Sequence, residues 1–543
     1  MPATKKSLAL NVAAVIVAFL LSRKLEKTLA FRRLFSGTVL GYLLYRLGAE
    51  RAPKGTKTSP GRLPWLGDLL RAPALKDHPV ETIMKDAKVT NYQSMFISMP
   101  FGSQSILIPM DERDREYILK NNFKNFNKNY NFLYGFNTIF HDLLGQGIFN
   151  VDGKKWSTHR KIAANLFTGR NIGVIMSETF VEHAKLMENA LRKFSRQKKS
   201  FDIQLLFQSL IFDTFCKIAF GVSSNSFDAA MKGEKEPFQV AFDSAQQIAS
   251  ERFFEPPPLR ELMYFFSLGK EAHMKKHLAI IDNYIINIVE QRKQEISAPG
   301  ASNYDADAQA QKDILGLYIY HSKKAGRPEL LETSYLRDMI MNFMIAGRDT
   351  TSYVLTNIIA LVSENDLFEG KLIKEIQEKM SRGIDNFLRN EINGFALADA
   401  TFNEALRMYP SVANDFRVTY EDCTLPSGIK LKEGTVTTLS NIAYGRNPKY
   451  FNNPDKFEPE RWLYDDDGTL KCERIDEFKF PFFWGGYRIC LGKDMARQEG
   501  KIFMCILLNS FRFIAAKPRK EKFSNGPVAF YSEGVHLYAQ ERN

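Results

Sequence analysis

Apolar positions are distributed unevenly along the chain. Residues 8–21 are apolar except for Asn11, with Lys5 and Lys6 before them and Arg23, Lys24 and Lys27 after. Fourteen helical residues reach only ~21 Å of the ~30 Å hydrocarbon core, so a membrane span here needs Ser7, Ser22 and snorkelling lysines. The run ends in Leu20-Leu21-Ser22-Arg23-Lys24 with no small-residue cleavage site, which predicts an uncleaved anchor and not a secretory signal. It is also too uniformly apolar for an Arg-rich mitochondrial presequence. With Arg32 and Arg33, the cations after the span outweigh those before it, so the C-terminal side should face the cytosol. A second apolar stretch, 34–45, is broken by Ser36, Gly37, Thr38 and Gly41 and reads as interfacial or re-entrant. Residues 1–50 are therefore the expected anchor and interfacial segment, 51–62 a polar hinge (KGTKTSPG at 54–61), and 63–543 one mixed domain.

Beyond the hinge, β-branched and apolar residues cluster between turn formers at 92–99 and 104–109, predicting early strands. Helical periodicity dominates 156–292 and 333–408. The polar segment 298–311 reads as a loop between long helices, 448–486 as an aperiodic ordered meander, and 528–538 as short strand-like pieces. The expected class is mainly α with small β-sheets, and no internal repeat is present.

Composition narrows the function. With 44% apolar and 25% charged residues the 543-residue chain is globular, neither disordered nor a polytopic transporter. Five cysteines with no CxxC pair argue against a zinc ribbon or a disulfide scaffold and for a reducing compartment. The formal charge is +12, but the basic runs 196–199 and 517–520 read as solvated faces, so no nucleic-acid partner is expected. Gly145-Gln146-Gly147 begins a GxGxxG, yet Asn150 stands at the third glycine and no Walker A loop occurs. The chain thus has no evident nucleotide module of its own.

The most informative segment is Phe483-Trp484-Gly485-Gly486-Tyr487-Arg488-Ile489-Cys490-Leu491-Gly492, a Gly-rich loop leading into the helical pattern 493–511. Helix-start N–H groups and the nearby arginine favour negative charge on sulfur there. Gly486 and Gly492 allow close approach of a flat partner, and Phe483 can pack beneath it. Such a cysteine is a candidate nucleophile or metal ligand. Glu404 and Arg407 share a helix face at i, i+3, followed by Pro410, and Phe457-Glu458-Pro459-Glu460-Arg461-Trp462 comes later. Ala346-Gly347-Arg348-Asp349-Thr350-Thr351 lies mid-helix, where a glycine costs about 1 kcal/mol relative to alanine. An acid and a hydroxyl beside so costly a residue suggest a function.

The FxxGxRxCxG pattern around Cys490 resembles the haem-binding loop of the cytochrome P450 family of haem-thiolate monooxygenases, and the other three motifs follow in that family's order. The resemblance implies the cytochrome P450 fold behind an N-terminal anchor and a haem b whose axial metal ligand is the Cys490 thiolate. It implies that Phe483, Gly486, Arg488 and Gly492 shape the loop, and that Trp156, Arg160, Arg417 and Arg488 reach the propionates. Glu404, Arg407 and Arg461 would form a buried network bracing the loop. Gly347 would open space for dioxygen, Thr350 would hydrogen-bond it and Asp349 would relay protons. His159 is not expected to be a ligand, since the thiolate supplies one.

Asp142-Leu-Leu-Gly-Gln-Gly-Ile-Phe-Asn-Val-Asp-Gly153, Phe212-Asp-Thr-Phe-Cys-Lys-Ile-Ala-Phe-Gly221, the run 336–351 and Cys490-Leu-Gly-Lys-Asp-Met-Ala496 are similar to the fatty-acid ω-hydroxylases of plants, fungi and related eukaryotes. Departures are Trp484-Gly485 and Tyr487, where that subgroup usually has proline. The likeness implies ω-hydroxylation of a lipophilic long-chain fatty acid at the endoplasmic reticulum membrane. Electrons would come from NADPH through a separate reductase, with cytochrome b5 as a second candidate donor. Lys493, Arg497 and Lys501, at i+4 spacing, are the expected basic docking face. Sterol or xenobiotic oxidation remains an alternative substrate reading. A haem-thiolate isomerase or dehydratase and a haem carrier or sensor are alternatives of another class, disfavoured because neither needs the Asp349–Thr350 pair.

Overall fold

The helical period read from Trp156 onward becomes an almost unbroken succession of helices. The computed structural model describes residues 52–60, 68, 71–98, 105–130, 135–234, 236–255, 257–297, 313–381, 394–523 and 526–542. Its longer helices are α1 (Pro79–Val89), α2 (Phe136–Leu144), α3 (Gly153–Ala164), α4 (Ser177–Arg196), α5 (Ile203–Phe220), α6 (Pro237–Glu251), α7 (Pro257–Phe265), α8 (Lys270–Ser297), α9 (Ile314–Lys324), α10 (Thr333–Met344), α11 (Thr350–Ser363), α12 (Asp366–Met380), α13 (Ala396–Met408) and α14 (Lys493–Ser510). The expected anchor, the stretch 34–45 and the loop 298–311 lie outside the described residues.

Burial explains the helices better than propensity does. Along α4, Phe180, Val181, Ala184, Met187 and Leu191 make one inward stripe. In contrast, α5 is buried nearly all round, between an Asp202 side chain that accepts from Gln204 N–H and a left-handed Gly221 at φ +73°. Its length and apolarity would suffice to cross a membrane, but it lies inside the core. There it packs beside α11, which also touches α13 and α14. A π-helical turn, Ile345–Asp349, joins α10 to α11. The largest apolar cluster runs from Val80 to Ala539 through these central helices.

One side carries a six-stranded sheet of β1 (Lys57–Thr58), β2 (Met95–Ser98), β3 (Ser105–Ile108), β4 (Phe126–Asn127), β5 (Asn414–Thr419) and β6 (Val436–Ser440), in the order β1-β2-β3-β6-β5-β4. β1 and β2 run parallel, as do β3 and β6, and the other pairs are antiparallel. Part of the expected hinge therefore enters the sheet as β1, with Lys57 opposite Met95. The strand anticipated from Tyr92 starts at Met95, because Asn91 and Tyr92 turn the chain with φ of +51° and +53°. The C-terminal strand is His536–Glu541, later than the 528–538 expected. It pairs with Phe511–Ala515 and Phe201–Asp202, while Tyr531 makes only an isolated bridge to Phe523.

Candidate functional site

Cys490 sits three residues before α14, at the end of a loop shaped by two left-handed residues, Trp484 at φ +60° and Gly486 at φ +66°. A Cβ on Gly486 would fall on the Leu119 carbonyl oxygen, so glycine is required by both conformation and space. Cys490 N–H donates to the Phe483 carbonyl at 2.9 Å, closing the loop on itself. Burial pushes the Cys490 thiol up, and the Gly492 N–H and Arg160, which act downward, do not offset it. The thiolate expected from the helix start is thus not favoured by the protein alone, and a bound cation's charge would be needed to hold it.

Beside the loop lies a cradle of four cations from distant parts of the chain. Arg417 on β5 pairs with Asp415 at 2.6 Å, and Lys128 reaches the same carboxylate at 3.4 Å. Arg488 pairs with Asp152 at 2.6 Å and lies over the Trp156 ring, 4.5 Å from its centroid. Arg160, on α3 with Trp156, feels the Cys490 sulfur. Among the described residues, Asp152 and Asp415 are the acids paired with these four, leaving an excess of two positive charges. Burial first, then Arg417, pulls Arg488 down to about 10, and burial draws Lys128 down to about 8 although Asp415 opposes it. Asp415, despite its own burial, is held at about 2 by Arg417 and Lys128. The Arg417 Nε is buried without a partner. Excess buried charge and an orphaned donor fit a ligand with two carboxylates, as haem has. Lys128, Asp152 and Asp415 were not singled out from sequence, since only the chain's return at 414–419 brings them together.

The acid–alcohol motif straddles the π-turn. Thr350 is half-buried and its hydroxyl donates to the Ala346 carbonyl at 2.5 Å. Asp349 is fully buried, accepting from Gln246 on α6 at 2.9 Å and from Arg348 at 3.0 Å. Burial pushes Asp349 up to about 6, with Arg348 and Gln246 opposing. Arg348 also donates to Asp243 on α6 at 2.6 Å, so the motif is tied to that helix at two points. A Cβ on Gly347 would stand 2.7 Å from Phe215 Cδ2, so the glycine lets the π-turn pack closely on an α5 ring.

Glu404, Arg407 and Arg461 do meet. Arg407 donates to both Glu404 oxygens at 2.9 and 2.7 Å, and its remaining N–H groups reach the carbonyls of Gly445, Pro454 and Lys456. Arg461 adds a bond at 3.1 Å and Trp462 Nε1 another at 2.9 Å. Trp462, missed from sequence as a member, packs edge-on against Phe480 at 5.4 Å, which contacts Phe482 at 4.9 Å at the start of the cysteine loop. The network therefore reaches the loop through rings.

One other reading changes. The basic face expected on α14 turns inward: Arg497 donates to Asn403 at 2.7 Å and lies against Phe402 and Phe483, while Lys501 is buried on Asp399 at 3.0 Å. Lys493 and Arg497 are partly open, and of the three only Lys501 is buried. The glycines of the broken GxGxxG serve packing. Cβ atoms on Gly145 and Gly147 would collide with Asp338 and Asn342 of α10, which accept from Gln146 and Phe149 N–H at 2.8 and 2.9 Å. His159 is buried against Tyr335, with ring centroids 5.0 Å apart.

Comparison with known proteins places this arrangement. The family model Cytochrome P450 matches residues 58–535. The chain is 33% identical over 436 residues to Cytochrome P450 704C1 of Pinus taeda, covering 77% of this chain and 81% of that one. It is 28% identical to Cytochrome P450 94A2 of Vicia sativa, covering 90% and 93%, and 31% identical to Cytochrome P450 monooxygenase cyp1 of Mycosarcoma maydis, covering 86% and 71%. The crystal structure of the cytochrome P450DA heme domain superposes with a TM-score of 0.72 at 19% identity, covering 91% of this chain and 99% of that one. The chain belongs to the cytochrome P450 family, monooxygenases that use a haem with a cysteine thiolate ligand and electrons supplied by a reductase.

Proposed function

We propose that this monooxygenase hydroxylates the terminal carbon of unbranched long-chain fatty acids at the endoplasmic reticulum membrane. The observation that carries the substrate class is a line of aromatic rings from the surface to the cationic cradle. Phe253, exposed just past α6, meets Phe416 of β5 at 5.3 Å and Phe140 of α2 at 5.8 Å. Phe136 continues the line, 4.6 Å from Phe140, with the Lys128 ammonium 4.2 Å from its centroid. Outside it lies a ridge of exposed Leu259, Leu262, Phe265, Phe266 and Leu268, suited to a lipid surface. An exposed apolar ridge of this kind suits a substrate that partitions into the lipid phase. The motif likeness of 142–153 and 212–221 to fatty-acid ω-hydroxylases supports the same class.

In this reading Cys490 would ligate the haem iron, and Lys128, Arg160, Arg417 and Arg488 with Trp156 would hold the propionates. The cofactor, when bound, supplies the thiolate-ligated iron that activates dioxygen. The chain's own residues govern protons: Thr350 Oγ1 carries a hydroxyl proton at the open side of the helix, and Asp349, poised near neutrality, takes and returns one from the buried side. Arg348 and Gln246 hold that carboxyl in place. The Glu404 network keeps the loop rigid behind Cys490.

The test begins with the carbon monoxide difference spectrum of the reduced protein. A strongly red-shifted Soret band that disappears in Cys490→Ala is expected. Turnover with an NADPH-dependent reductase should then give the ω-hydroxy acid by mass spectrometry. Sterol hydroxylation with no fatty-acid product would replace the substrate assignment, and a folded, haem-loaded wild type without the band would end the reading.

A further inference from the structure

Asp142 opens the run 142–153 singled out in the sequence, and its carboxylate meets Arg252, the residue that follows α6. Arg252 is 4% exposed and all five of its N–H groups are used. Two reach Asp142, both at 2.8 Å, two reach Glu271 of α8 at 3.0 and 2.6 Å, and one reaches the Ile139 carbonyl of α2 at 2.8 Å. The two carboxylates belong to different parts of the fold. Asp142 stands on α2, whose end is fixed to α10: Arg337 donates to the Asp142 and Leu143 carbonyls at 3.2 and 2.8 Å, and Asn342 to that of Leu144 at 2.9 Å. Glu271 begins α8, at the far end of the segment 253–270 that carries the exposed ridge.

That segment is tied mostly to itself. Lys270 pairs with Glu251 at 3.2 Å and Glu255 at 2.5 Å across its neck, Lys275 donates to Ser267 at 2.7 Å, and the Tyr264 ring lies 5.9 Å from the Arg252 guanidinium. Among the described residues, no hydrogen bond or ion pair joins 253–270 to the chain outside 251–275. Polar attachment of the ridge to the body therefore passes through Arg252, beside the ring contacts of Phe253 with Phe140 and Phe416. Giving up Asp142 leaves the arginine paired with Glu271, so that break strands no buried cation. Asp142 is already 9% exposed and water can take its charge, whereas Glu271 is wholly enclosed.

We infer that the Arg252–Asp142 pair is a latch. It closes the ridge-bearing segment over Phe253, Phe140 and Phe416, and it opens with Arg252 still held by Glu271, admitting a lipophilic substrate from the ridge side. The inference rests on the fatty-acid reading only for what enters, and its test separates the two.

Hydrogen–deuterium exchange is followed by mass spectrometry on the full-length, haem-loaded protein, beside stopped-flow binding of palmitic acid read from the Soret shift. Asp142→Asn, which keeps the shape and removes the charge, should speed exchange in 253–270 by about tenfold while α10 and α13 stay as protected as in the wild type. It should raise the association and dissociation rates of palmitic acid together by about fivefold, so that affinity changes little. Arg252→Lys, which keeps a charge but loses the forked grip, should act in the same direction and serves if Asp142→Asn disturbs folding. Unchanged exchange in 253–270 in both variants overturns the latch, and so does exchange that rises equally in α10 and α13, which is a general loss of stability. Selective opening in the variants, with no Soret shift from palmitic acid in any form of the protein, upholds the latch and overturns the fatty-acid reading.

Discussion

The ring of Phe215 occupies the space that Gly347 leaves open, with Cδ2 and Cε2 at 2.7 and 3.0 Å from where a Cβ would stand. Gly347 is thus a helix-packing glycine between α5 and the π-turn. Gly347→Ala should destabilise the fold by about 1–3 kcal/mol through overpacking, less the roughly 1 kcal/mol that alanine returns in helix propensity. Phe215→Leu in the same chain should recover part of the loss in urea unfolding. A Gly347→Ala protein as stable as the wild type would contradict the packing argument.

Glu404 accepts from Arg407, Arg461 and Trp462 and has no solvent to replace them. Glu404→Ala leaves two guanidiniums uncompensated and should cost about 3–5 kcal/mol. Glu404→Gln, which keeps an acceptor, should cost less, and denaturant midpoints would rank them. Equal midpoints for the wild type and Glu404→Ala would remove the network from the structural argument.

Asp349 is raised to about 6, whereas an unfolded aspartate titrates near 4. Between those values the native state holds more proton than the unfolded one, so Asp349 lowers stability as pH rises from about 4 to 6 and adds no further slope above. The contribution is about 3 kcal/mol. Asp349→Asn should flatten that part of the stability–pH curve. An unchanged slope in the variant would contradict the burial argument.

Lys128 is lowered to about 8, so in the protein without haem it destabilises the fold below that pH, and stability should recover between about pH 8 and 10. Lys128→Met should therefore stabilise the haem-free protein by about 1–3 kcal/mol near neutrality while speeding haem loss to a scavenging apoprotein. Opposite signs in the two forms are the signature of a cation kept for an anionic ligand. The same sign in both would show that Lys128 serves packing.

What is local or contiguous can be read from the sequence alone. The cysteine loop, the Glu404–Arg407 pair one helical turn apart, the Asp349–Thr350 neighbours and the long helical stretches all follow from spacing and turn chemistry within a few residues. Which way a cation faces is different in kind. Lys493, Arg497 and Lys501 have the spacing of a solvated stripe, yet Asp399 and Asn403 of α13 draw two of them inward. Lys128, Arg417 and Arg488 are far apart in sequence and become one charged cradle only when β5 and the cysteine loop pack together. Tertiary structure decided these points because desolvation and pairing depend on what a side chain is buried against, and distant segments supply that surface.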